Sequence, residues 1–462
     1  MAIAPLALQL GERFSAAGFE LCLVGGWVRD AVMGRGESDL DFTTNATPEQ
    51  VLQILAGWAD TTWDVGIRFG TVGASRSGEL LEITTYRAEQ YEADSRKPTV
   101  NFGTNLNDDL IRRDFTINAM ALSLPDGKLH DPFGGLNDVA AGIIRTPSTP
   151  EESFSDDPLR MMRAARFAAQ LKFDVAPEVI HAMTTMAARI EIISAERVRD
   201  ELSKLLLGAD PRRGLTLLVE TGLAQYVLPE LPKLQLEIDE HHRHKDVYEH
   251  SLIVLEQAID LETSHVPNLE PDLVLRLAAL LHDIGKPKTR RFENGGGVSF
   301  HHHEVVGAKL VKKRLTALRF PNDVVDDVTK LVELHLRFHG YGTGEWTDSA
   351  VRRYVRDAGD QLVRLHKLTR ADCTTRNRRK AELLANTYDE LEMHIAHLQE
   401  QEALDAIRPD LDGQEIMEIL GISPSPVVGK AYKHLLELRL DHGPMSKEEA
   451  KQQLLTWWSS QQ

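Results

Sequence analysis

Apolar positions change their rhythm near residue 155 of this chain. Upstream, short β-branched or apolar runs such as LCLVGG (21–26), TVGAS (71–75) and LLEITTY (80–86) alternate with turn-rich segments and with helical stretches such as TPEQVLQILAG (47–57). That is the pattern of a mixed α/β region. Downstream, apolar residues recur with a period near 3.6 through DPLRMMRAARFAAQL (157–171), PEVIHAMTTMAARI (177–190), SAERVRDELSKLLLG (194–208) and DLVLRLAALLHDIG (272–285), and on toward the C-terminus. The predicted class is therefore α+β, a strand-bearing head followed by an all-helical body. We expect four regions: a head over 1–145, a helical neck over 146–244, a histidine-rich stretch over 245–375, and a helical tail over 376–462 that a Pro/Gly break interrupts at GISPSPVVG (421–429). No internal repeat or low-complexity tract is visible.

Length and composition narrow this picture. The 462 residues suffice for about three domains of ordinary size, each able to fold without a disulfide or structural metal. Apolar residues make up 42% and charged residues 27%, too apolar for a wholly disordered chain. Only Cys22 and Cys373 are present, which excludes a disulfide scaffold and points to a reducing, cytoplasmic setting. The first residues, MAIAPLALQLGERF, lack a basic n-region, so no signal peptide is expected, and no apolar run has the length of a membrane span. The formal charge of −17 excludes a surface coated in positive charge. Any contact with nucleic acid must come from a local basic strip.

Chemistry first appears in LCLVGGWVRDAVMGRGESDLDFTT (21–44), which reads as strand, Gly-Gly turn, short helix, turn, and a second strand carrying Asp39 and Asp41. Residues two apart on a strand project to one face, so both carboxylates point the same way. Their mutual repulsion calls for a hard divalent cation with oxygen ligands, and Mg²⁺ is the expected one. Gly25 and Gly26 fit a turn where a triphosphate approaches the backbone, and Arg29 sits one turn into the helix, within reach of phosphate. A DxD pair alone also fits a solvated strand end. Together and in this order, the pieces favour phosphoryl or nucleotidyl transfer. Glu82 is a candidate third carboxylate, although a plain surface glutamate suits it better.

GGWVRD followed by DLD resembles the signature of the polymerase-β-type nucleotidyltransferases, in the family of class II CCA-adding enzymes and bacterial poly(A) polymerases. RRDFTINAM (112–120), DPFGG (131–135), DDPLRMMRAARF (156–167) and SAERVRDELSKLLLG (194–208) are similar to the family's later motifs, in order. The resemblance implies a polymerase-β-like head, with Asp157 and Arg160 reading the incoming base in place of a template. Their chemistry suits that role. Three apart on a helix they are neighbours, and a carboxylate and a guanidinium match the amino group and ring nitrogen that cytosine and adenine share. Arg163 and Arg166 continue the face and are given by the resemblance to phosphate and base contacts. A solvated helix face is the alternative. One departure stands out: Asp156 stands where the family usually has Glu.

Of Arg112 and Arg113, one is expected on the triphosphate and the other paired with Asp114. The charged segment TYRAEQYEADSRKPTVNFG (85–103) is similar to the family's flexible loop, associated with the switch to A addition.

Nine of the 18 histidines fall between His241 and His303. YEHSL (248–252), HDIGKPKTR (282–290), FHHHE (300–304), LHLRFH (334–339) and RADCTTRN (370–377) follow in an order that resembles an HD-type phosphohydrolase domain over 245–375. The implied ligands of a second divalent metal are His250, His282, Asp283, His303, His335 and Asp372. His301 and His302 have no firm place in the pattern. The tract IDEHHRHKD (238–246) reads as a solvated loop, and Lys430 and Lys433 in the tail read as a solvated face with some reach toward RNA.

The resemblance as a whole implies a tRNA nucleotidyltransferase that builds CCA from CTP and ATP. Its rivals are a poly(A) polymerase, which shares every head motif, and a metal-dependent phosphohydrolase with a non-catalytic head.

Overall fold

Strand alternation in the head resolves into a seven-stranded mixed sheet of order β3-β4-β5-β2-β1-β6-β7. Its strands are β1 (Leu21–Val24), β2 (Leu40–Thr44), β3 (Thr61–Trp63), β4 (Thr71–Arg76), β5 (Glu79–Thr85), β6 (Ala121–Leu124) and β7 (Leu129–His130). All neighbours are antiparallel except β2 and β5, which run parallel with Asp41 opposite Glu82. The computed structural model describes all residues except 1–2, 37–38, 64–69, 87–102, 104, 236–245, 269, 294–296, 339–346, 376, 403–406 and 462. The chain forms two compact units, residues 1–229 and 230–462.

In the first unit, α1 (Pro5–Ala16), α2 (Gly26–Val32), α3 (Pro48–Leu55), α4 (Leu106–Ile111) and α5 (Gly135–Ala141) accompany the sheet. The period of two sorts each strand. Leu21 and Leu23, Leu40 and Phe42, and Leu81 and Ile83 enter one core with Phe14, Val28, Val51 and Leu55. The alternate residues Cys22 and Val24 meet Leu110 of α4 on the opposite face. Asp41, Thr43 and Glu82 therefore lie on the α4 side. Helices α6 (Pro150–Asp156), α7 (Leu159–Leu171), α8 (Pro177–Met186), α9 (Ala195–Leu206), α10 (Pro211–Glu220) and α11 (Ala224–Val227) complete the unit. Helix α7, with apolar residues on most of its faces, is buried against α9 and α10. The short parallel pair β8 (Ile143–Ile144) and β9 (Asp174–Val175) closes the turn after α7.

Among the described residues the second unit is helical apart from the hairpin β10 (Arg291–Glu293) and β11 (Gly297–Ser299). Its helices are α12 (Val247–Ser264), α13 (Leu273–Leu281), α14 (Lys286–Thr289), α15 (His303–Ala317), α16 (Asn322–Leu334), α17 (Asp348–Ala358), α18 (Leu362–Ala371), α19 (Arg378–Gln401), α20 (Gly413–Leu420), α21 (Pro426–His442) and α22 (Lys447–Ser459). Helices α12, α13, α16 and α18 pack on one another, and α15 lies on α16. The last three helices close a small core of their own around Ile416, Leu435 and Leu454. Among the described residues no helix is long and apolar enough to cross a membrane.

The start of α14 touches α15 backbone to backbone. A Cβ at Gly285 would collide with the His303 carbonyl and stand 2.7 Å from the Gly307 nitrogen. Gly285→Ala is expected to destabilise the second unit by about 1–3 kcal/mol, the usual range for forcing atoms into a filled site. Urea unfolding followed at that unit would show it as a lower midpoint with an unchanged slope.

Candidate active site and metal centre

At the end of β1 the chain turns sharply through Gly25, whose φ is +70°, before entering α2. A Cβ at that position would lie 3.7 Å from Asp41 Oδ2 and 3.6 Å from Arg113 Nη1, so glycine, anion and cation share one small space. Burial first, and then the charge of neighbouring Glu82, push the Asp41 carboxyl up to about 6 against the pull of Arg113, with Asp39 adding weakly. Asp39 is exposed and just precedes the strand, which begins at Leu40. Glu82 is exposed too, yet its register opposite Asp41 makes it part of this field. The three carboxylates share one field of like charge at Asp41, which a hard divalent cation would relieve.

Arg113 is aimed at this space by a residue the sequence reading missed. Asp109 Oδ2 accepts from Arg113 Nη2 at 3.1 Å and from Thr43 Oγ1 at 3.3 Å, while the Arg113 Nε is buried with no partner among the described residues. The available signal was the i, i+4 spacing of Asp109 and Arg113 across the end of a helix.

Asp114 is a buried hub. It accepts from Arg163 Nε at 2.8 Å, from Asn118 Nδ2 at 3.0 Å and from the Phe115 backbone at 2.8 Å. Asn118 Oδ1 in turn accepts from Arg29 Nη1 at 2.8 Å, and Arg29 also pairs with Asp30 at 2.9 Å. The partner of Asp114 is thus Arg163, 49 residues away, in place of the expected Arg112 or Arg113. Arg29, expected to reach phosphate, is instead buried in this network with its guanidinium 5.3 Å from the Phe167 ring. The arginine face of α7 is likewise neutralised inside the protein. Arg166 pairs with Glu201 of α9 at 2.7 Å and lies 4.1 Å from the Phe167 ring.

Asp157 and Arg160 differ from their expected arrangement on one helix. Asp157 has extended backbone (φ −143°, ψ 101°) as the cap that ends α6, and α7 starts after Pro158. The proline explains this, because its ring disfavours helical geometry in the preceding residue. The two remain joined, since the Arg160 amide donates to the Asp157 carbonyl at 3.0 Å. The Asp157 carboxylate accepts from the Leu159 amide at 3.1 Å and from Arg197 of α9 at 2.7 Å, a partner that the sequence alone did not single out. Arg160 donates to Ser153 Oγ at 2.9 Å and to the Arg112 carbonyl. Residues 112 and 113 thereby join the two clusters. The carbonyl of Arg112 holds Arg160, while the guanidinium of Arg113 stands beside Asp41 and Gly25. The segment 85–103 falls almost wholly outside the described residues.

In the second unit all six expected side chains converge, as the groups His250, His282, Asp372 and Asp283, His303, His335. His282, His335 and Asp372 each cap the end of a helix, and His303 begins one. The Nδ1 atoms of His282, His303 and His335 each bond a carbonyl three residues back, at 2.8, 2.8 and 2.7 Å. That contact commits Nδ1 to the carbonyl and turns Nε2 of each ring inward. His250 Nδ1 is held by Thr374 Oγ1 at 3.1 Å. Asp283 lies 3.2 Å from His303 Nε2 and 3.3 Å from His282 Nε2, and Asp372 2.9 Å from His250 Nε2. Lys286 Nζ reaches Asp283 at 2.5 Å. Burial first, and then the positive charge of His282, hold His335 down at about 3, and its buried Nε2 has no hydrogen-bond partner among the described residues. A mixed nitrogen and oxygen set with an orphaned ring nitrogen fits one or two divalent transition ions. His301 and His302 are exposed, and 238–246 lies outside the described residues except for Asp246.

Three family models match the chain: the poly A polymerase head domain over 21–145, the probable RNA and SrmB-binding site of polymerase A over 172–234, and the HD domain over 247–377. The A-adding tRNA nucleotidyltransferase of Deinococcus radiodurans is 35% identical over 445 residues, 94% of this chain and 95% of that one. The CCA-adding enzyme of Levilactobacillus brevis is 45% identical over 222 residues, 48% of this chain and 55% of the relative. The crystal structure of the Bacillus stearothermophilus CCA-adding enzyme in complex with CTP superposes with a TM-score of 0.70 at 25% identity, covering 99% of both chains.

Burial opposes ionisation of Asp114, but Arg163 and the Asn118 amide outweigh it and hold the carboxyl well below the usual range. A depressed carboxylate stabilises the fold fully above the unfolded value of about 4, and this is lost as pH falls through the folded value. Asp114→Asn is therefore expected to lower Tm strongly at pH 7. Below pH 4 the gap to wild type should narrow in parallel thermal melts.

Proposed function

The chain belongs to the family of tRNA nucleotidyltransferases and bacterial poly(A) polymerases, and on that premise we propose that it adds CCA to the 3′ end of tRNA from CTP and ATP, in the cytoplasm. The observation that carries this reading is the joining of the Asp41–Gly25–Arg113 cluster to Asp157 and Arg160 through consecutive residues 112 and 113. In this reading Asp39 and Asp41 hold Mg²⁺, which when bound supplies charge neutralisation at the α-phosphate and the leaving pyrophosphate. Gly25 lets the triphosphate approach the backbone. Arg113, with Nε unpartnered and Nη1 turned to the same space, takes its negative charge. Asp157 accepts from the amino group of cytosine or adenine, and Arg160 donates to the adjacent ring nitrogen. Uracil and guanine present a carbonyl to Asp157, and that mismatch costs on the order of 2–4 kcal/mol. Arg163, Arg166 and Arg29 act behind this surface by fixing α7 against the sheet. We assign 1–145 to catalysis, 146–244 to nucleotide and RNA binding, 245–375 to the metal domain and 376–462 to the tail.

The test is incorporation on two tRNAs, one lacking the whole CCA end and one ending in CC. Addition of CCA to the first from CTP and ATP is expected. Extension of the CC-ended tRNA alone would mark an A-adding enzyme like the Deinococcus relative, and long A tails would mark a poly(A) polymerase. Asp41→Ala should cut incorporation by more than about 1,000-fold, the scale of losing several kcal/mol of charge stabilisation, while leaving the far-UV spectrum unchanged.

The six converging side chains of the second unit favour an additional activity, hydrolysis of a phosphoester at a divalent metal. Asp283→Ala is expected to abolish metal uptake by that unit, read by elemental analysis, with nucleotide incorporation retained.

A further inference from the structure

Acidic residues outnumber Lys and Arg by 70 to 53 in the whole chain, yet residues 286–319 hold nine Lys or Arg and two acids. We propose that this segment, through the hairpin β10–β11 and the exposed side of α15, binds a single-stranded stretch of RNA. Its phosphates lie on Lys288, Arg291, Lys309 and Lys313, and one unpaired base lies on the ring of Phe292. The surface is outside residues 172–234, the stretch that the RNA-binding family model matches, and it would serve whichever nucleotides the head adds.

Charge is the first ground. Both acids of the segment are engaged locally: Glu293 accepts from the Ser299 hydroxyl, and Glu304 faces the rings of His302 and His303. Three of the cations have acidic partners as well, Lys286 in Asp283, Lys312 in Asp326 and Arg314 in Glu230. Lys288, Arg290, Arg291, Lys309 and Lys313 have none among the described residues, and all of these but Arg290 are exposed. Cations left unneutralised on an acidic body make a local positive field, and a chain of phosphates is the partner that relieves it.

Geometry is the second. The close approach of Gly285 to His303 and Gly307 ties the two ends of the hairpin segment together, since α14 leads into β10 and α15 follows β11. Only residues 300–302 separate β11 from α15. On that helix His303, Gly307, Val311 and Leu315 are buried. Lys309 and Lys313 occupy the opposite side four residues apart, so their Cβ atoms are about 5–6 Å from each other. Val305 is the one large apolar residue that α15 exposes. An anionic membrane would need a broader apolar face beside the lysines.

The third ground is the aromatic ring. Phe292 lies opposite Val298 in the hairpin and is 73% exposed. A lone apolar side chain in water is ordinary. This one has the Arg290 guanidinium 4.7 Å from its centroid, and the Arg290 Nε is buried with no hydrogen-bond partner among the described residues. A ring backed by a cation, with most of its surface open, is a platform on which a base stacks without its sequence being read.

The test uses the full-length protein and fluorescence anisotropy with a short oligouridylate RNA. Arg291→Gln combined with Lys309→Gln and Lys313→Gln, all at exposed positions, is expected to raise Kd at least about tenfold at low salt. It should also reduce the slope of log Kd against log salt by about 2, at roughly 0.7 per phosphate contact on a single strand. Arg291→Lys with Lys309→Arg and Lys313→Arg keeps the charge and should bind as wild type does. Phe292→Ala should weaken the oligouridylate about tenfold and leave a blunt RNA duplex unaffected. Unchanged affinity and slope in the glutamine variant would overturn the proposal, as would an equal loss in the charge-keeping variant. An equal effect of Phe292→Ala on both RNAs, or on neither, would overturn it too. Binding to phosphatidylserine vesicles that the glutamine variant loses while it keeps RNA would assign the surface to a membrane instead.

Discussion

One buried carboxylate, that of Asp114, holds the first unit in register. Removing a carboxylate from water costs several kcal/mol unless its oxygens are matched by charge and hydrogen bonds. Here the matching groups come from distant parts of the chain. Arg163 arrives from α7, Asn118 from the segment before β6, and Arg29 follows from α2 through Asn118. Each of these side chains is tied to another from a different segment, so none relaxes alone. The result is a link from the turn after β1 to the helix that carries Arg160. Residues 112 and 113, next to Asp114 in the chain, are tied to that link.

The second unit solves a related problem with imidazoles and carboxylates together. A histidine presents a usable lone pair only when its other nitrogen is committed, and carbonyls three residues back hold His282, His303 and His335 in the same way. For His282 and His335 the carbonyl comes from the last turn of the helix each one caps, where C=O groups lack helical partners. The fields of Asp283 and Asp372 overcome burial to hold His282 up at about 10. Two carboxylates that attract a proton so strongly make an equally favourable seat for a metal cation.

Much of this was legible in the residues, and what was not has definite causes. Period-two and period-3.6 patterns separated head from body because each strand and helix buries one face. The histidine set was readable because its members sit in short segments whose order survives the folding of five helices. Asp157 was misplaced on α7 because helical periodicity gives no weight to a proline's effect on the residue before it. The roles of Arg29, Arg163 and Arg166 were hidden for a different reason. An arginine's spacing records the face it occupies, while the acid that neutralises it, Asp114 or Glu201, lies tens of residues away. Asp109 escaped notice because it acts through Arg113 and carries no motif of its own, and Arg197, although inside the 194–208 motif, because its partner Asp157 lies 40 residues away.

On the reading proposed above, the two donor sets would let one chain carry two metal sites without exchanging their ions. Affinity of nitrogen-bearing sites rises steeply from Mn²⁺ toward Cu²⁺, so the histidine cluster competes well for transition ions even when they are scarce. The carboxylates at 39, 41 and 82 offer oxygen alone. They gain little from a softer ion, and a partly exposed position lets the cation keep its waters and exchange them for phosphate oxygens, as Mg²⁺ does. The net charge of −17 then bears differently on the two partners of the head. It concentrates divalent cations near the surface while opposing RNA everywhere except where arginines stand unneutralised. Since Asp114 and Glu201 consume most of the cationic charge of α7, little of that helix's positive charge is left to attract RNA along its length. Specificity for the end of an RNA, in preference to its length, is what such a sparse distribution of positive charge favours.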